Sequence, residues 1–399
     1  MIRIRDTRYP STAAFLGDAI KVAEYYGFVS ADDMPKNGNE TKKPPTSGEI
    51  EALLSFARRE ERSLPAIARR ALMFARPTHE AMLMWRIVQT PGTTPLTSLE
   101  LHIVGHASAM AETLAIIVGH AIAENAGLTG HTLSINNLGS GESSGRFARD
   151  VGTFLRKHLD TIAPSLRSRV ADDPLGALIQ LIERGHPATG RAPQAMEYLT
   201  EDERRRFWEF LEYLEVFGLP YELSSHVLGS RDVWSHALYE ISSMDPETGT
   251  RVPFAFGGRY DPVISRFAKR PESGAMLSIT VEAKGAGKPK RSNRVMPSIF
   301  FAHLGAEARR RALAVIEDLR RAEIPIRQSL TFDRLGEQMT MARTLQVPYI
   351  LIMGHKEAVE NAILVREVAT NNQEVVPLAE LSGYLKRRRL GTPRAEVHA

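Results

Sequence analysis

The sequence predicts an α+β protein: an antiparallel sheet with flanking helices, joined through a basic linker to a small C-terminal α/β domain. Three observations carry this. Strand-like runs follow one another over Tyr221–Leu223, Ala237–Ser242, Pro253–Phe256 and Ala275–Val281 with no helical period between them, which implies antiparallel pairing. The stretch Lys284–Arg294, KGAGKPKRSNR, holds two glycines, a proline and five basic residues and has nothing to bury. Beyond it the text alternates strand and helix from Ser298 to Met353, the pattern of a largely parallel sheet. The chain therefore divides into a core domain over 1–283 with an insertion at about 161–200, a linker over 284–294, and a C-terminal domain over 295–399 with a basic tail.

The elements follow in order. A helix is predicted from Ser11 to Tyr26, with Ser11 or Thr12 as its cap and Gly27 where a C-terminal cap belongs. The polar, proline-rich stretch Asp32–Gly48 reads as a loop, followed by helices over Glu49–Arg62 and around Ala66–Ala75. Leu99–Gly105 reads as a strand, Ser108–Ala126 as a long helix closed by Gly127, and Thr132–Asn136 as a short strand. A basic amphipathic helix spans Ser143–Leu159. The next forty residues carry Pro164, Pro174, Pro187 and Pro193 without a clear period. Helix Glu201–Phe217 is capped by Thr200, and its aromatic set Phe207, Trp208, Phe210, Tyr213 and Phe217 reads as core. In the last domain the strands are Ser298–His303, Ile326–Leu330 and Tyr349–Met353, with helices Ala306–Ala322 and Arg334–Leu345 between them.

Composition narrows the function. With 43% apolar and 25% charged residues in 399, the chain can bury full-sized cores. A net charge of +4 is compatible with a polyanionic partner without demanding one. The absence of cysteine excludes disulfides, thiolate zinc sites, iron–sulfur clusters and a thiol nucleophile. No apolar run approaches the length of a membrane span, so a soluble, cytoplasmic protein without a membrane partner is expected.

The most specific string is Gly257-Gly258-Arg259-Tyr260-Asp261. Its glycines allow close backbone approach, Arg259 offers a planar fork for carboxylate or phosphate, Tyr260 a flat wall with a hydroxyl, and Asp261 an acceptor. His102 and His106 with Glu112 have the residue types of a metal site, but a satisfied sheet histidine is the simpler reading. Gly139–Gly145 lacks the lysine of a P-loop, and Ser143 and Ser144 lack a nucleophile-elbow context.

GGRYD after a hairpin, then a strand, a linker and a separate α/β domain, resembles the histidyl-tRNA synthetase family of class II synthetases. The C-terminal run is similar to the family's anticodon-binding domain, with Gly354-His355-Lys356-Glu357, then Ile363–Arg366, then Thr370 and Gln373. EYYGF (Glu24–Phe28) resembles the end of the family's first helix, and Leu219–Glu222 with Asp232 and Glu240 the segment before GGRYD. The resemblance implies a class II synthetase-like fold, a homodimer, and tRNA as partner, with no DNA expected. It implies a ligand pocket from Gly257, Gly258, Arg259, Tyr260, Asp261, His102, Asp232 and Glu282, with Arg86 and Arg231 as the catalytic candidates. It also implies RNA contacts from Lys288, Lys290, Arg291, Arg294, Glu357, Arg366, Thr370 and Gln373, and, in an active enzyme, ATP and Mg as cofactors.

Against the family pattern, Gly229 stands in Leu228–Trp234 where the family has an arginine, and Val233 and Trp234 replace two pocket tyrosines. Ala283 replaces the third-motif arginine, Arg86 has Val88 where an acidic neighbour is expected, and His102 stands where family members read the substrate imidazole with an acid. Lost guanidiniums remove phosphate stabilisation. The function expected is a catalytically impaired paralogue that binds tRNA or a small ligand in a regulatory or accessory role. The alternative is an active histidine–tRNA ligase with diverged motifs. A regulatory subunit of the first enzyme of histidine biosynthesis would share the core fold, but residues 295–385 count against it.

Overall fold

The structure, a computed structural model, describes residues 1–34, 46–74, 81–90, 95–283, 297–328, 330, 332 and 334–390. Its large sheet has the order β1-β2-β3-β8-β7-β6-β4-β5. In chain order these are β1 Val29–Ser30, β2 Met82–Thr90, β3 Leu96–Val104, β4 Thr132–Asn137, β5 Tyr221–Leu223, β6 Ser235–Met244, β7 Arg251–Arg259 and β8 Gly274–Glu282. Neighbours pair antiparallel except at the two edges, where β1 runs parallel to β2 and β5 to β4.

Strand alternation decides what each face buries. Leu99, Leu101 and Ile103 of β3 and Ala275, Leu277, Ile279 and Val281 of β8 join one core with three helices. These are α1 (Thr12–Tyr25), α4 (Met110–Ala126) and α8 (Glu201–Phe217). The apolar run Ala111–Val118 is thus the middle of a helix buried on nearly every side. Gly119 lets α4 approach β8: a Cβ there would lie 2.4 Å from Leu277 Cδ2.

The termini of these helices are set locally. The Ser11 side chain accepts from Ala14 N, and Gly127 closes α4 with φ +77. Thr200 and Glu203 form a capping box on α8. At the other end of the sheet Ile2 pairs with Val281 where β7 has left β8.

Several expectations need correction. The helix expected over 49–62 is instead α2 (Ser47–Glu51), an irregular stretch, and a 3-10 turn Glu60–Ser63 leading into α3 (Leu64–Leu72). The stretch 161–200 is largely helical, with α6 (Pro164–Asp172) and α7 (Pro174–Glu183) following α5 (Gly141–Lys157). Pro164, Pro174 and Pro187 sit in the first turn, where no amide donor is needed, so they start helical turns rather than break them. A short helix, α9 (Asp261–Ala268), separates β7 from β8, and GGR lies inside β7 rather than after it. Trp208 faces solvent at 69% exposure, outside the core assigned to the α8 aromatics.

The C-terminal sheet has the order β10-β9-β11-β12-β13. Its strands are β9 Ile299–His303, β10 Ile326–Gln328, β11 Tyr349–Met353, β12 Ala362–Glu367 and β13 Gln373–Pro377. Helices α10 (Ala306–Arg321), α11 (Leu335–Thr344), α12 (His355–Val359) and α13 (Leu378–Arg387) accompany them. β10, β9 and β11 are parallel, but β12 and β13 are antiparallel, so the sheet is mixed. Helix α10 packs on α8 and ties the two sheets together. Tyr26 Oη donates to Glu317 at 2.5 Å, Gln328 Nε2 to the Tyr26 carbonyl at 2.6 Å, and Arg310 and Arg321 pair with Glu212 and Glu124. The expected linker, with Lys288, Lys290, Arg291 and Arg294, and positions 35–45 of the loop after α1 lie outside the described residues.

Candidate functional site

The face of the large sheet away from α4 carries the polar strand residues. The pairs Arg86↔Glu100 and Met84↔His102 set β2 against β3, and Ser278 and Thr280 of β8 and Phe256 of β7 continue the row. Arg86 Nε and Nη2 each reach Glu100 Oε2 at 2.7 Å, Ser63 Oγ donates to Glu100 Oε1 at 2.8 Å, and His102 Nε2 lies 3.1 Å from Glu100 Oε2. Burial pushes the Glu100 carboxyl up, but the His102 hydrogen bond and the Arg86 charge outweigh it and hold the group at about 2. Burial lowers the His102 pKa against the pull of Glu100, so the ring is neutral, with its proton on Nε2. Among the described residues its Nδ1 then has no partner, nor does the hydroxyl of Tyr260, whose ring meets His102 edge-on with centroids 5.9 Å apart.

GGRYD is divided by the strand. Arg259 points to the opposite face, is wholly buried, and grips Glu112 of α4 with Nη2–Oε2 2.6 Å and Nε–Oε1 3.1 Å. It also donates to the carbonyls of His106 and Ser108, while Arg206 pairs with the same Glu112 at 3.0 Å. Burial raises the Glu112 pKa, but Arg259 and Arg206 overcome it and hold the carboxyl at about 2. Gly257 and Gly258 serve strand packing: a Cβ on Gly257 would lie 2.2 Å from the Met276 carbonyl, and one on Gly258 2.7 Å from Leu238 Cδ2. Asp261 accepts from Gly274 N at 2.8 Å, and burial raises its pKa.

The other candidates scatter. Arg231 is exposed, with its guanidinium beside Gly145 of α5. Asp232 is half-buried, its amide bonded to Ser230 Oγ. Glu282 accepts from Ile4 N at 2.7 Å and so fastens the N-terminal segment. His106, past the end of β3, has Nε2 2.7 Å from Ser108 Oγ, and with Glu112 taken by two guanidiniums no metal triad assembles. In the C-terminal sheet Arg366 pairs with Gln373 across β12 and β13, with exposed Thr370 in the turn between them. Glu357 lies at the far end of β11, where its carboxylate caps Gly354 N at 2.9 Å.

Two carboxylates were missed from sequence, Glu100 and Glu61, and Glu112 was weighed only as a metal ligand, not as the partner of Arg259. Glu100 had a readable signal, sharing a strand face with His102 two residues on. Glu61 had none, because its partners Ser230 N and Trp234 Nε1, both at 2.8 Å, lie far away in sequence. Burial raises its pKa against those hydrogen bonds.

The fit to ATP is poor on these residues. A Cβ on Gly229 would lie 2.3 Å from Trp234 Cδ1, so the indole already fills the space a side chain there would take. Arg86 is committed to Glu100, and β8 ends at Glu282, just before Ala283.

Comparisons with known proteins bear on the whole chain. Residues 298–388 match the anticodon binding domain family. The histidine–tRNA ligase of Symbiobacterium thermophilum is 26% identical over 300 residues, covering 72% of this chain and 68% of that one. Histidine–tRNA ligase 1 of Shouchella clausii is 27% identical over 282 residues, covering 70% of this chain and 66% of the relative. Apo histidyl-tRNA synthetase of S. aureus shares the fold, with a TM-score of 0.50 at 15% identity over 97% of this chain and 100% of that one. Sequence and fold together make most of the chain similar to histidyl-tRNA synthetases, and residues 298–388 match the anticodon binding domain family.

Proposed function

We propose that this chain is an accessory member of its family that binds RNA through residues 298–388 and activates histidine poorly or not at all. The observation that carries the reading is the Trp234 indole packed over Gly229, with Arg86 locked to Glu100. A triphosphate demands preorganised cations, and losing one such contact costs about 3 kcal/mol of transition-state stabilisation. The RNA side rests on the anticodon binding domain match and on the Arg366–Gln373 edge with Thr370 at its turn. Lys288, Lys290, Arg291 and Arg294 add cations in the sequence just before it. ATP and Mg are cofactors only in the competing reading, a diverged histidine–tRNA ligase.

The test is histidine-dependent exchange between ATP and pyrophosphate with Mg present. Exchange near background is expected. Robust exchange at ordinary enzyme concentration establishes the ligase instead.

A further inference from the structure

The polar sheet face is covered by the chain's own segment 57–63, and each anchor of that segment is a group on or beside the face. The Arg58 guanidinium stacks 4.1 Å from the Phe256 ring centroid and stands 3.7 Å from Glu240. Arg59 donates to Thr280 Oγ1 at 2.8 Å. Ser63 bonds Glu100 through its hydroxyl, and its carbonyl accepts from Arg86 at 3.0 Å. Glu61 plugs into the turn before β6, taking hydrogen bonds from Ser230 N and Trp234 Nε1 and from its own Ala57 and Arg58 amides.

Two further observations make this cover more than a loop. The run Glu49–Arg62, EIEALLSFARREER, has no glycine or proline and is rich in strong helix formers, yet its middle is not helical. Tertiary anchors hold it against its local helical preference. Beneath Glu100, the wholly buried His102 Nδ1 and Tyr260 Oη are an acceptor and a donor without partners among the described residues.

We propose that residues 57–63 form an intrasteric strap that occupies the ligand face and exposes it when the segment leaves the sheet for the helix its sequence favours. This rests on reading the polar face as a ligand site, and the test separates the two. Because the chain has no cysteine, Ser98→Cys places one thiol beside Thr280, beneath Arg59. Its labelling rate by a maleimide reads strap opening. In an Arg58→Ala background, which leaves Arg59 over the thiol, labelling should be about tenfold faster, the loss of the charged hydrogen bond from Arg58 to the Leu228 carbonyl, with added far-UV helical signal. Hydrogen exchange on the unmodified chain provides a second reading should that variant fold poorly. The Ala57, Arg58 and Ser230 amides, all bonded to Glu61, should exchange together and before those of β3. Unchanged labelling, or exchange of these amides only together with β3, overturns the strap. Calorimetry with histidine and with ATP then tests the face: faster labelling with tighter binding supports both ideas, and faster labelling without binding of either retains the strap and overturns the ligand face.

Discussion

At the scale of single residues, the electrostatics of the molecule are concentrated in two buried carboxylates on opposite faces of one sheet. Glu112 neutralises Arg259 and Arg206, and Glu100 neutralises Arg86 and orients His102. Removing one member of such a set leaves a charge stranded in low dielectric. Glu112→Gln should therefore cost about 3–5 kcal/mol of stability in urea unfolding at neutral pH. The sign of the pH dependence follows from the depressed pKa. Glu112 is held at about 2 against an ordinary 4.5, so its contribution is complete above 4.5 and fades as pH falls toward 2. The gap between wild type and Glu112→Gln should close over that interval. Arg259, the residue in GGRYD whose chemistry looked most available, is thus spent on holding α4 to the sheet.

At the scale of elements, one carboxylate starts two helices. Glu203 caps the Thr200 amide of α8 and also accepts from Ser140 N and Ser143 Oγ at the start of α5. Burial opposes its charge, but the Ser143 and backbone hydrogen bonds hold it at about 2. Thr200→Ala should cost about 1 kcal/mol, the usual value of an N-cap, whereas Glu203→Gln should cost more, because both helix starts lose a charged acceptor. Chemical denaturation of the two variants side by side checks the order. Elements with local signals were legible in the sequence: the Ser11 and Thr200 caps, Gly27 and Gly127 at φ +93 and +77, and the alternation of β3, β8, β9 and β11. Where long-range contacts decide, local reading failed. The 49–62 helix gave way to anchors on residues 228–280, and α9 was too short for its period to register. The polar face was half legible: Arg86 and His102 were identified, but the groups that neutralise and cover them come from elsewhere in the chain.

At the scale of the whole molecule, the C-terminal sheet is joined to the large one by Tyr26–Glu317, Arg320–Asn125 and Arg321–Glu124 hydrogen bonds. If the basic runs Lys284–Arg294 and Lys386–Arg389 both face a bound RNA, about six to nine phosphate contacts form, and log affinity for bulk tRNA should fall with log salt at a slope of several units. Arg366→Ala should lower affinity at every salt concentration and reduce that slope by about one, read by filter binding. Binding by the full chain that ignores salt, or no binding at low salt, refutes the RNA reading.

The pairing of Ile2 with Val281 has a consequence for biosynthesis. Strand β8 is the inner neighbour of both β3 and β7, and the N-terminal segment closes against it last. At roughly 5–20 residues per second, a ribosome takes about 15–60 s to deliver that partner. Until Val281 has been made, Ile2 and Ile4, both buried in the folded chain, lack the strand that Ile2 pairs with, so the nascent chain carries apolar side chains whose cover only its last large-sheet strand completes.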